Sequence, residues 1–140
     1  MSMNTFHLQI VTPDGQVYDG PAARVLCRTI AGDVCILPRH CDYITALGMG
    51  EARVTLEDGT VRRGACIGGM LTVRAGQVRL VATTFEWAED IDKARTEASR
   101  QRAETVLGRQ GADARELELA QARLKRALVR THVADRKSVV

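Results

Sequence analysis

The amino-acid sequence predicts an α+β protein: an N-terminal all-β sandwich or barrel, followed by a C-terminal antiparallel hairpin of two helices. Residues 1–86 contain short runs rich in β-branched residues, separated by turn signals at intervals of roughly eight to twelve residues. Ten of the twelve glycines and all three prolines lie in these residues. Farther along, the apolar positions recur at steps of three and four residues, as they do on one face of a helix. We therefore predict two domains, residues 1–86 and residues 87–140.

The predicted strands of the first domain are bounded by turn residues. Residues 6–10 alternate apolar and polar side chains, and a second short run at 17–18 is expected to end at a break over 19–21. Asp58-Gly59 lies between two further runs and is a strong hairpin signal. The other predicted strands are 23–29, 33–37, 53–56, 61–65, 70–74 and 77–82, and the last two are joined through Ala75-Gly76.

The second domain is predicted to form two helices with small side chains between them. Glu89, Asp90 and Asp92 are expected in the first turn, where negative charge suits the helix dipole. Gly108 and Gly111 interrupt the pattern, and Asp113 is the expected N-cap of the second helix. The expected apolar faces are Ile91, Ala94, Ala98, Thr105 and Val106, then Leu117, Ala120, Leu124, Ala127, Leu128 and Thr131. Because alanine buries little apolar area, we expect a weakly held, mobile hairpin.

Charge and hydropathy argue against two classes of function. The net charge of +3 arises in the second domain, with twelve basic and nine acidic residues from residue 87 onward. Acids are interspersed among these basic residues, so nucleic-acid binding is not expected. No apolar run approaches the roughly 20 residues of a membrane-spanning helix, so no direct membrane insertion is expected. No secretory signal is visible at the N-terminus.

The four cysteines do not form a metal-binding pattern. There is no Cys-x-x-Cys pair, and no histidine lies at zinc-finger spacing from a cysteine. Cys27, Cys35 and Cys66 fall in apolar, strand-like runs, where cysteine behaves as a small hydrophobic residue. We expect reduced thiols that are buried or inert, no metal site and no required cofactor.

Four stretches of the chain resemble the ε subunits of bacterial F-type ATP synthases, in the same order along the sequence. They are residues 5–11 (TFHLQIV), 32–40 (GDVCILPRH), 68–73 (GGMLTV) and 88–95 (AEDIDKAR). The resemblance spans nearly the whole chain and implies the same sandwich and helical hairpin. Cys35 and Arg39 stand where that family commonly has glycine. From these two replacements we predict that neither position requires a positive φ angle.

The resemblance implies a non-catalytic subunit of the central stalk, peripheral on the cytoplasmic face of the bacterial inner membrane. Such a subunit couples γ to the c-ring, and its partners are γ, the c-ring and the α and β subunits. Asp33 and His40 match positions that the family uses at the c-ring. The hairpin would inhibit ATP hydrolysis by extending along γ, so that basic residues of the second helix meet acidic segments of β. These residues are Arg123, Arg126 and Arg130, within a basic stretch that runs to Lys137.

The resemblance also implies a candidate ATP site at the start of the first helix. The family motif Ile/Leu-Asp-x-x-Arg-Ala reads Ile91-Asp92-Lys93-Ala94-Arg95-Thr96 here, with threonine in place of the final alanine. Arg95 and Arg102 lie two turns apart on one helix face and can jointly neutralise a polyphosphate. ATP would be a regulatory ligand, since the chain has no Gly-x-x-x-x-Gly-Lys-Ser/Thr loop for its hydrolysis. The candidate ATP-binding residues are Glu86, Ile91, Asp92, Arg95, Arg102, Arg126 and Arg130.

Two other functions stay open on the residues alone. The same layout suits a stand-alone ATP-sensing or ligand-binding module with no synthase role. A thiol enzyme that uses Cys41 beside His40 is the third reading, although neighbours in sequence rarely present facing side chains for a catalytic dyad. Solvated salt bridges along the helices and a polar surface loop would explain the same charged residues without any site. We predict no catalytic residue.

Overall fold

The computed structural model describes residues 4–136, which form two compact units that meet between Trp87 and Ala88. The first unit contains seven strands: β1 (Phe6–Thr12), β2 (Gly15–Ala22), β3 (Arg24–Thr29), β4 (Gly32–Ile36), β5 (Tyr43–Thr55), β6 (Val61–Arg74) and β7 (Gln77–Trp87). The second unit contains a 3-10 turn (Ala88–Asp90) and two helices, α1 (Lys93–Gly108) and α2 (Ala114–Arg136). Lys137, the last residue of the predicted basic stretch, lies outside the described residues.

The seven strands form one hydrogen-bonded sheet in the order β2-β1-β7-β6-β5-β3-β4. Neighbouring strands are antiparallel except β1 and β7, which are parallel. Buried side chains from all seven strands belong to a single hydrophobic core. A flat sheet could not bring both of its edge strands into one core, so the sheet closes over itself as a sandwich. The predicted fold class, an all-β sandwich followed by two helices, is confirmed.

The three longest strands lose their pairing at the same level. Gly48 of β5, Gly68 of β6 and Thr83 of β7 are skipped in the ladders that pair their neighbours. Gly69 has a φ of 123°, and a Cβ atom there would lie 2.0 Å from the carbonyl oxygen of Val81. Only glycine fits such a position, because the space and the backbone conformation both exclude a side chain.

Local turn signals were reliable, and one predicted break was wrong. The hairpin at Asp58-Gly59 forms, and Ala75 and Gly76 both take positive φ angles, of 51° and 80°, in the turn between β6 and β7. The expected break over residues 19–21 does not occur, since β2 continues through Pro21 to Ala22. β2 is an edge strand, where a proline removes no hydrogen bond that the sheet needs.

Two of the four cysteines are buried and two are exposed. Burial raises the pKa of the Cys27 and Cys66 thiols to about 12, so both behave as small core residues, as expected. Cys35 was expected among the buried or inert thiols, but its side chain is exposed on the edge strand β4, next to the fully buried Ile36. Alternation along the strand places these two neighbours on opposite faces. Cys41, in the loop before β5, is also exposed.

The helices agree with the prediction on α2 and differ on α1. Asp113 caps α2, because its Oδ1 accepts a hydrogen bond from the Glu116 amide at 2.7 Å. The expected face of α2 is buried at Ala120 and Ala127, although Leu128 is exposed. On α1 the buried residues are Thr96 and Ala103, whereas the expected Ala94, Ala98 and Thr105 are exposed. Because the apolar residues of α1 are mostly small and lie on several sides, its sequence did not indicate which face is buried.

Acidic residues at the start of α1 are also placed differently. Glu89 and Asp90 lie in the 3-10 turn, and the first turn of α1 itself contains no acidic residue. Asp92 is instead the N-cap, with an extended backbone that separates the turn from the helix.

Candidate functional sites

Asp33 lies on β4 in an exposed ion pair. Its Oδ1 accepts a hydrogen bond from Nε of Arg28 on β3 at 2.7 Å, and each side chain is 54% exposed. Exposed pairs of this kind contribute less than about 1 kcal/mol, so either partner can exchange it for another contact at little cost.

His40 is held in the loop between β4 and β5. Its Nδ1 lies 2.7 Å from the carbonyl oxygen of Cys41, and its ring centroid lies 5.7 Å from that of Tyr43. A carbonyl oxygen only accepts, so Nδ1 carries the proton and Nε2 is the acceptor of the neutral ring. The His40 ring nitrogen thus contacts the backbone carbonyl of Cys41. The thiol-enzyme hypothesis would require a contact with the Cys41 thiol instead.

Arg39 adopts a left-handed backbone, which overturns the expectation that its position needs no positive φ. Its φ is 68°, whereas Cys35 has no positive φ, as expected. The tight loop after β4 requires this conformation whatever the side chain, and a residue with a Cβ adopts it at a cost of roughly 1 kcal/mol. The glycine that the family commonly has at this position therefore indicated the backbone conformation correctly, although Arg39 replaces it here.

An open groove of about 650 Å³ lies beside this loop, between the start of β5 and the end of β6. Asp42 joins the loop to the turn between β6 and β7, because its Oδ1 accepts a hydrogen bond from the Ala75 amide at 3.0 Å. The groove is lined by Asp42, Tyr43, Ile44, Thr72, Val73 and Arg74. The structure thus places Tyr43, in contact with His40, beside Arg74, whereas the described contact of Asp33 is with Arg28. No sequence motif marked Arg74; only the pairing of Tyr43 with Val73 brings it here.

A row of apolar side chains crosses four strands of the sheet on its outer face. Val11 pairs with Val81, Val81 with Met70, and Met70 with Ala46. Met70 and Val81 are 44% and 40% exposed, while the residues that alternate with them, Leu71 and Leu80, are fully buried. Ile30, 76% exposed, continues the row, since its amide donates to the Ala46 carbonyl. We call these residues, Val11, Ile30, Ala46, Met70 and Val81, the apolar row.

Sequence reasoning did not find the apolar row. Residues 43–52 were not predicted as a strand, so Ala46 could not be aligned with Met70. The five residues come from four strands and one turn, so no single stretch of sequence shows that they lie together.

Asp92 organises the start of α1. Its Oδ1 accepts a hydrogen bond from the Arg95 amide at 3.0 Å, as an N-cap does. Its carbonyl oxygen accepts from the Thr96 hydroxyl at 2.9 Å. The hydroxyl that replaces the family's alanine is buried and hydrogen-bonded within the helix, so it adds no unsatisfied polar group. Ile91, next to the cap, is also buried.

The arginines of α1 fall into two groups. Arg100 donates to Glu97 on one side and to Glu104 at 2.5 Å on the other, and hydrogen bonding to Arg100 lowers the pKa of Glu97. Arg95 and Arg102 are exposed, and within residues 4–136 neither forms a side-chain hydrogen bond or ion pair. The two arginines that were predicted to neutralise a polyphosphate are thus the two that are available to a ligand.

The predicted basic residues of α2 lie along its C-terminal half. Arg126 and Arg130 are half-buried and one helical turn apart, and Arg123 is exposed. Arg123 also lines a small pocket of about 130 Å³ between the helices, together with Ala103, Val106, Glu116, Leu119 and Ala120. Glu86 is half-buried on β7 in the first unit, whereas the other six candidate ATP-binding residues belong to the second.

Residues 4–136 contain neither a candidate metal site nor a candidate membrane-spanning helix. No group of three or more His, Cys, Asp or Glu side chains is placed to hold a metal ion in this part of the chain. In the same residues neither helix has the length and apolar character to cross a membrane.

The described residues thus define a class: proteins that join a β-sandwich with an exposed apolar row to a basic helical hairpin. Comparison with known proteins makes the class specific. Residues 5–88 match the family model for the β-sandwich domain of the ATP synthase delta/epsilon chain, and residues 89–135 match the model for its long α-helix domain. The chain belongs to the ATP synthase delta/epsilon chain family, which confirms the resemblance seen in its sequence.

Two bacterial relatives agree with this assignment along nearly their full length, and a solved structure shows the same fold. The ATP synthase epsilon chain of an Exiguobacterium species is 36% identical, covering 96% of this chain and 99% of the relative. The epsilon chain of Bacillus velezensis is 40% identical, covering 94% and 98%. A chain of the Euglena gracilis mitochondrial ATP synthase has the same fold, with a TM-score of 0.76 at 21% identity, covering 87% of this chain and 76% of that one.

Proposed function

We propose that the protein is the ε subunit of the central stalk of an F-type ATP synthase, which couples γ to the c-ring and inhibits ATP hydrolysis through its helical hairpin. The apolar row is the observation on which this proposal depends most. An isolated sandwich gains nothing from an apolar row on its outer face, whereas a subunit of an assembly requires one for docking. The names of the relatives and the match of both units to one family support the assembly in question.

The apolar row is the surface that we assign to γ. It runs across four paired strands from Val11 to Ala46, which suits a long partner laid over the sheet. Burying it would contribute about 25 cal/mol for each Å² of apolar surface removed from water. The partner's side of this interface is therefore expected to be apolar at its centre.

The loop around His40 is the surface that we assign to the c-ring. His40 offers an acceptor at Nε2, and the adjoining groove combines an apolar wall at Tyr43 with the charge of Arg74. Asp33 supplies a carboxylate that only an exposed ion pair holds. Charge-assisted hydrogen bonds to such groups suit the polar loops of a membrane protein.

The helical hairpin is the part to which we assign regulation. Its buried contacts include Ala103, Ala120 and Ala127, which bury little area and so hold the two helices together only weakly. Arg123 and Arg126 are available to acidic segments of β, since neither forms a side-chain hydrogen bond or ion pair within residues 4–136. ATP bound to the folded hairpin would favour that form by mass action.

No catalytic role is assigned to the chain. The protein would lie peripherally on the cytoplasmic face of the bacterial inner membrane, where its partners are. ATP acts as a regulatory ligand at Arg95, Arg102 and the arginines of α2.

The proposed inhibition is tested by adding the full chain to an α, β and γ complex and measuring ATP hydrolysis. Wild-type protein should lower the rate. Arg126→Ala should raise it again, whereas Arg115→Ala, an exposed arginine in the first turn of the same helix, should not. A chain that binds the complex and leaves hydrolysis unchanged would refute the regulatory part. A chain that never binds the complex would favour the stand-alone module.

ATP binding is tested by titrating the isolated full chain with ATP. Arg95→Ala and Arg126→Ala should weaken binding, and Arg115→Ala should not. Equal affinity for all of these variants would exclude the proposed nucleotide site, while leaving the docking surfaces untouched.

A further inference from the structure

Ile30 lies at one end of the apolar row, at the tip of the hairpin between β3 and β4. Within residues 4–136 it is the most exposed of the large apolar residues, at 76%. Ile30 and Ala31 form the two-residue turn of this hairpin, and Gly32 follows with a φ of 121°. An isoleucine at such a tip stays in water unless a partner covers it.

The backbone of this hairpin tip is held by hydrogen bonds to both of its sides. The hydroxyl of Thr29, a buried residue, accepts a hydrogen bond from the Ala31 amide at 3.1 Å and donates to the Gly32 carbonyl oxygen at 2.7 Å. The Ile30 amide donates to the Ala46 carbonyl oxygen of β5 at 3.1 Å, which joins the tip to the neighbouring strand. Because the backbone that carries Ile30 is already ordered, little of its conformational entropy remains to be lost on binding.

A second hairpin of the same kind, between β1 and β2, shows that the turn itself does not require an apolar residue. The Thr12 hydroxyl accepts from the Asp14 amide at 3.2 Å and donates to the Gly15 carbonyl oxygen at 3.3 Å, and Gly15 has a φ of 131°. Pro13 and Asp14, the two residues of that turn, are both exposed. The turn therefore explains the threonine and the glycine of both hairpins. It does not explain Ile30, whose position instead indicates a contact with another molecule.

We propose that Ile30 is the anchor of the apolar row and inserts into an apolar pocket on γ, and that Thr29 is the residue that positions it. The proposal rests on the assignment of the apolar row to γ in the proposed function, and it names the member of the row that contributes most to binding. Met70 and Val81, in the middle strands, are only 44% and 40% exposed. Ile30 projects from a turn, so a partner can surround it on several sides and exclude water from it, as at the centre of a strong interface.

Binding of the full chain to the α, β and γ complex measures the contribution of Ile30. Ile30→Ala should weaken binding about thirtyfold, as loss of an anchor residue does. Ile30→Val, which lacks one methylene group, should weaken it only about fourfold. Val61→Ala is the control, since Val61 is 46% exposed on β6 outside the apolar row, and it should bind like the wild type. A photo-crosslinking amino acid in place of Ile30 should couple to γ.

The role of Thr29 is tested through its effect on Ile30. Thr29→Val nearly keeps the shape of the buried side chain and removes both hydroxyl hydrogen bonds. The Ala31 amide should then exchange faster by NMR, and binding should weaken about fivefold. Thr29→Ser keeps the hydroxyl and should retain slow exchange and most of the affinity. Because Thr29 acts through Ile30, Thr29→Val should weaken binding no further when it is added to Ile30→Ala. Thr12→Val, the equivalent change in the other hairpin, should leave binding unchanged.

Several outcomes would overturn the proposal. Ile30→Ala that binds like the wild type would remove the anchor, and coupling of position 30 to α or β would assign it to the wrong subunit. A wild-type dimer that Ile30→Ala dissociates would show that a second copy of the chain covers this residue instead. If Thr29→Val weakens Ile30→Ala as much as it weakens the wild type, Thr29 does not act through Ile30. If Thr29→Val does not fold, Thr29→Ser must keep the wild-type affinity while Ile30→Ala loses it, or the proposal fails.

The same binding measurements separate this proposal from the proposed function. If Met70→Asp abolishes binding and Ile30→Ala does not change it, the apolar row docks on the complex without an anchor at its end, so the function stands and the proposal fails. If the wild-type chain never binds the complex, the docking function fails and the anchor fails with it.

Discussion

Replacing Asp92 separates its structural role from any contact with a nucleotide. In Asp92→Ala the Arg95 amide loses its 3.0 Å hydrogen bond to Oδ1, and loss of an N-cap costs about 1 kcal/mol. A change of this size increases opening of the first turn of α1 about fivefold. Hydrogen exchange at amides 93–97 of the full chain measures it, and Asp90→Ala, which removes an exposed acid from the preceding turn, is the matched control.

Asp92→Asn completes this test, because asparagine caps a helix about as well as aspartate but carries no charge. If Asp92 only caps α1, Asp92→Asn should exchange and bind ATP like the wild type. If the carboxylate also accepts a hydrogen bond from the nucleotide, Asp92→Asn should bind ATP more weakly while its helix stays protected. Unchanged exchange in Asp92→Ala would refute the capping role and with it the reasoning from this geometry.

Other perturbations test the sheet and its ion pairs. Gly69→Ala should lower the free energy of unfolding in urea by about 3 kcal/mol or more, because the new Cβ would collide with the Val81 carbonyl oxygen. Gly15→Ala is the control: at a φ of 131° with nothing within 4 Å, it should lower this free energy by only about 1–2 kcal/mol. At Glu51 burial acts to raise the pKa, but hydrogen bonds from Arg53 and Arg63 outweigh it and the pKa is lowered. The resulting stability is complete above the unfolded pKa of about 4.3 and is lost as the pH falls through the folded pKa. Glu51→Gln should therefore make stability depend less on pH in acid unfolding followed by circular dichroism. An unchanged acid transition would show that these ion pairs contribute nothing.

Features with local causes were predictable from the sequence. The turns at Asp58-Gly59 and Ala75-Gly76 form because Gly59 and Gly76 readily adopt positive φ angles. Asp113 caps α2 because its side chain reaches the Glu116 amide three residues on. None of these requires knowledge of a distant part of the chain. The resemblance of the segments 32–40 and 88–95 then supplied the family, which the comparisons confirm.

Features that depend on distant neighbours were not predictable. Strand β5 was missed between residues 43 and 52, because Gly48 and Gly50 break its alternation; pairing with β6 is what makes it a strand. The apolar row follows from that pairing and was missed with it. The predicted buried face of α1 was wrong, because alanines lie on several sides of the helix and packing against α2 determines which side is buried. The positive φ of Arg39 was also not predictable from the residue itself, because the loop imposes a backbone conformation that a side chain disfavours.

Binding of the full chain to the α, β and γ complex tests whether the sandwich docks through the apolar row. Met70→Asp places a carboxylate in the middle of the row, and loss of apolar burial together with desolvation of the charge should weaken binding about a hundredfold. Val61→Asp is the matched control, since Val61 lies on the same strand, is 46% exposed against 44% for Met70, and is outside the row. We expect Val61→Asp and the wild type to co-purify with the complex, and Met70→Asp to fail to do so. Equal binding of all three proteins would contradict it.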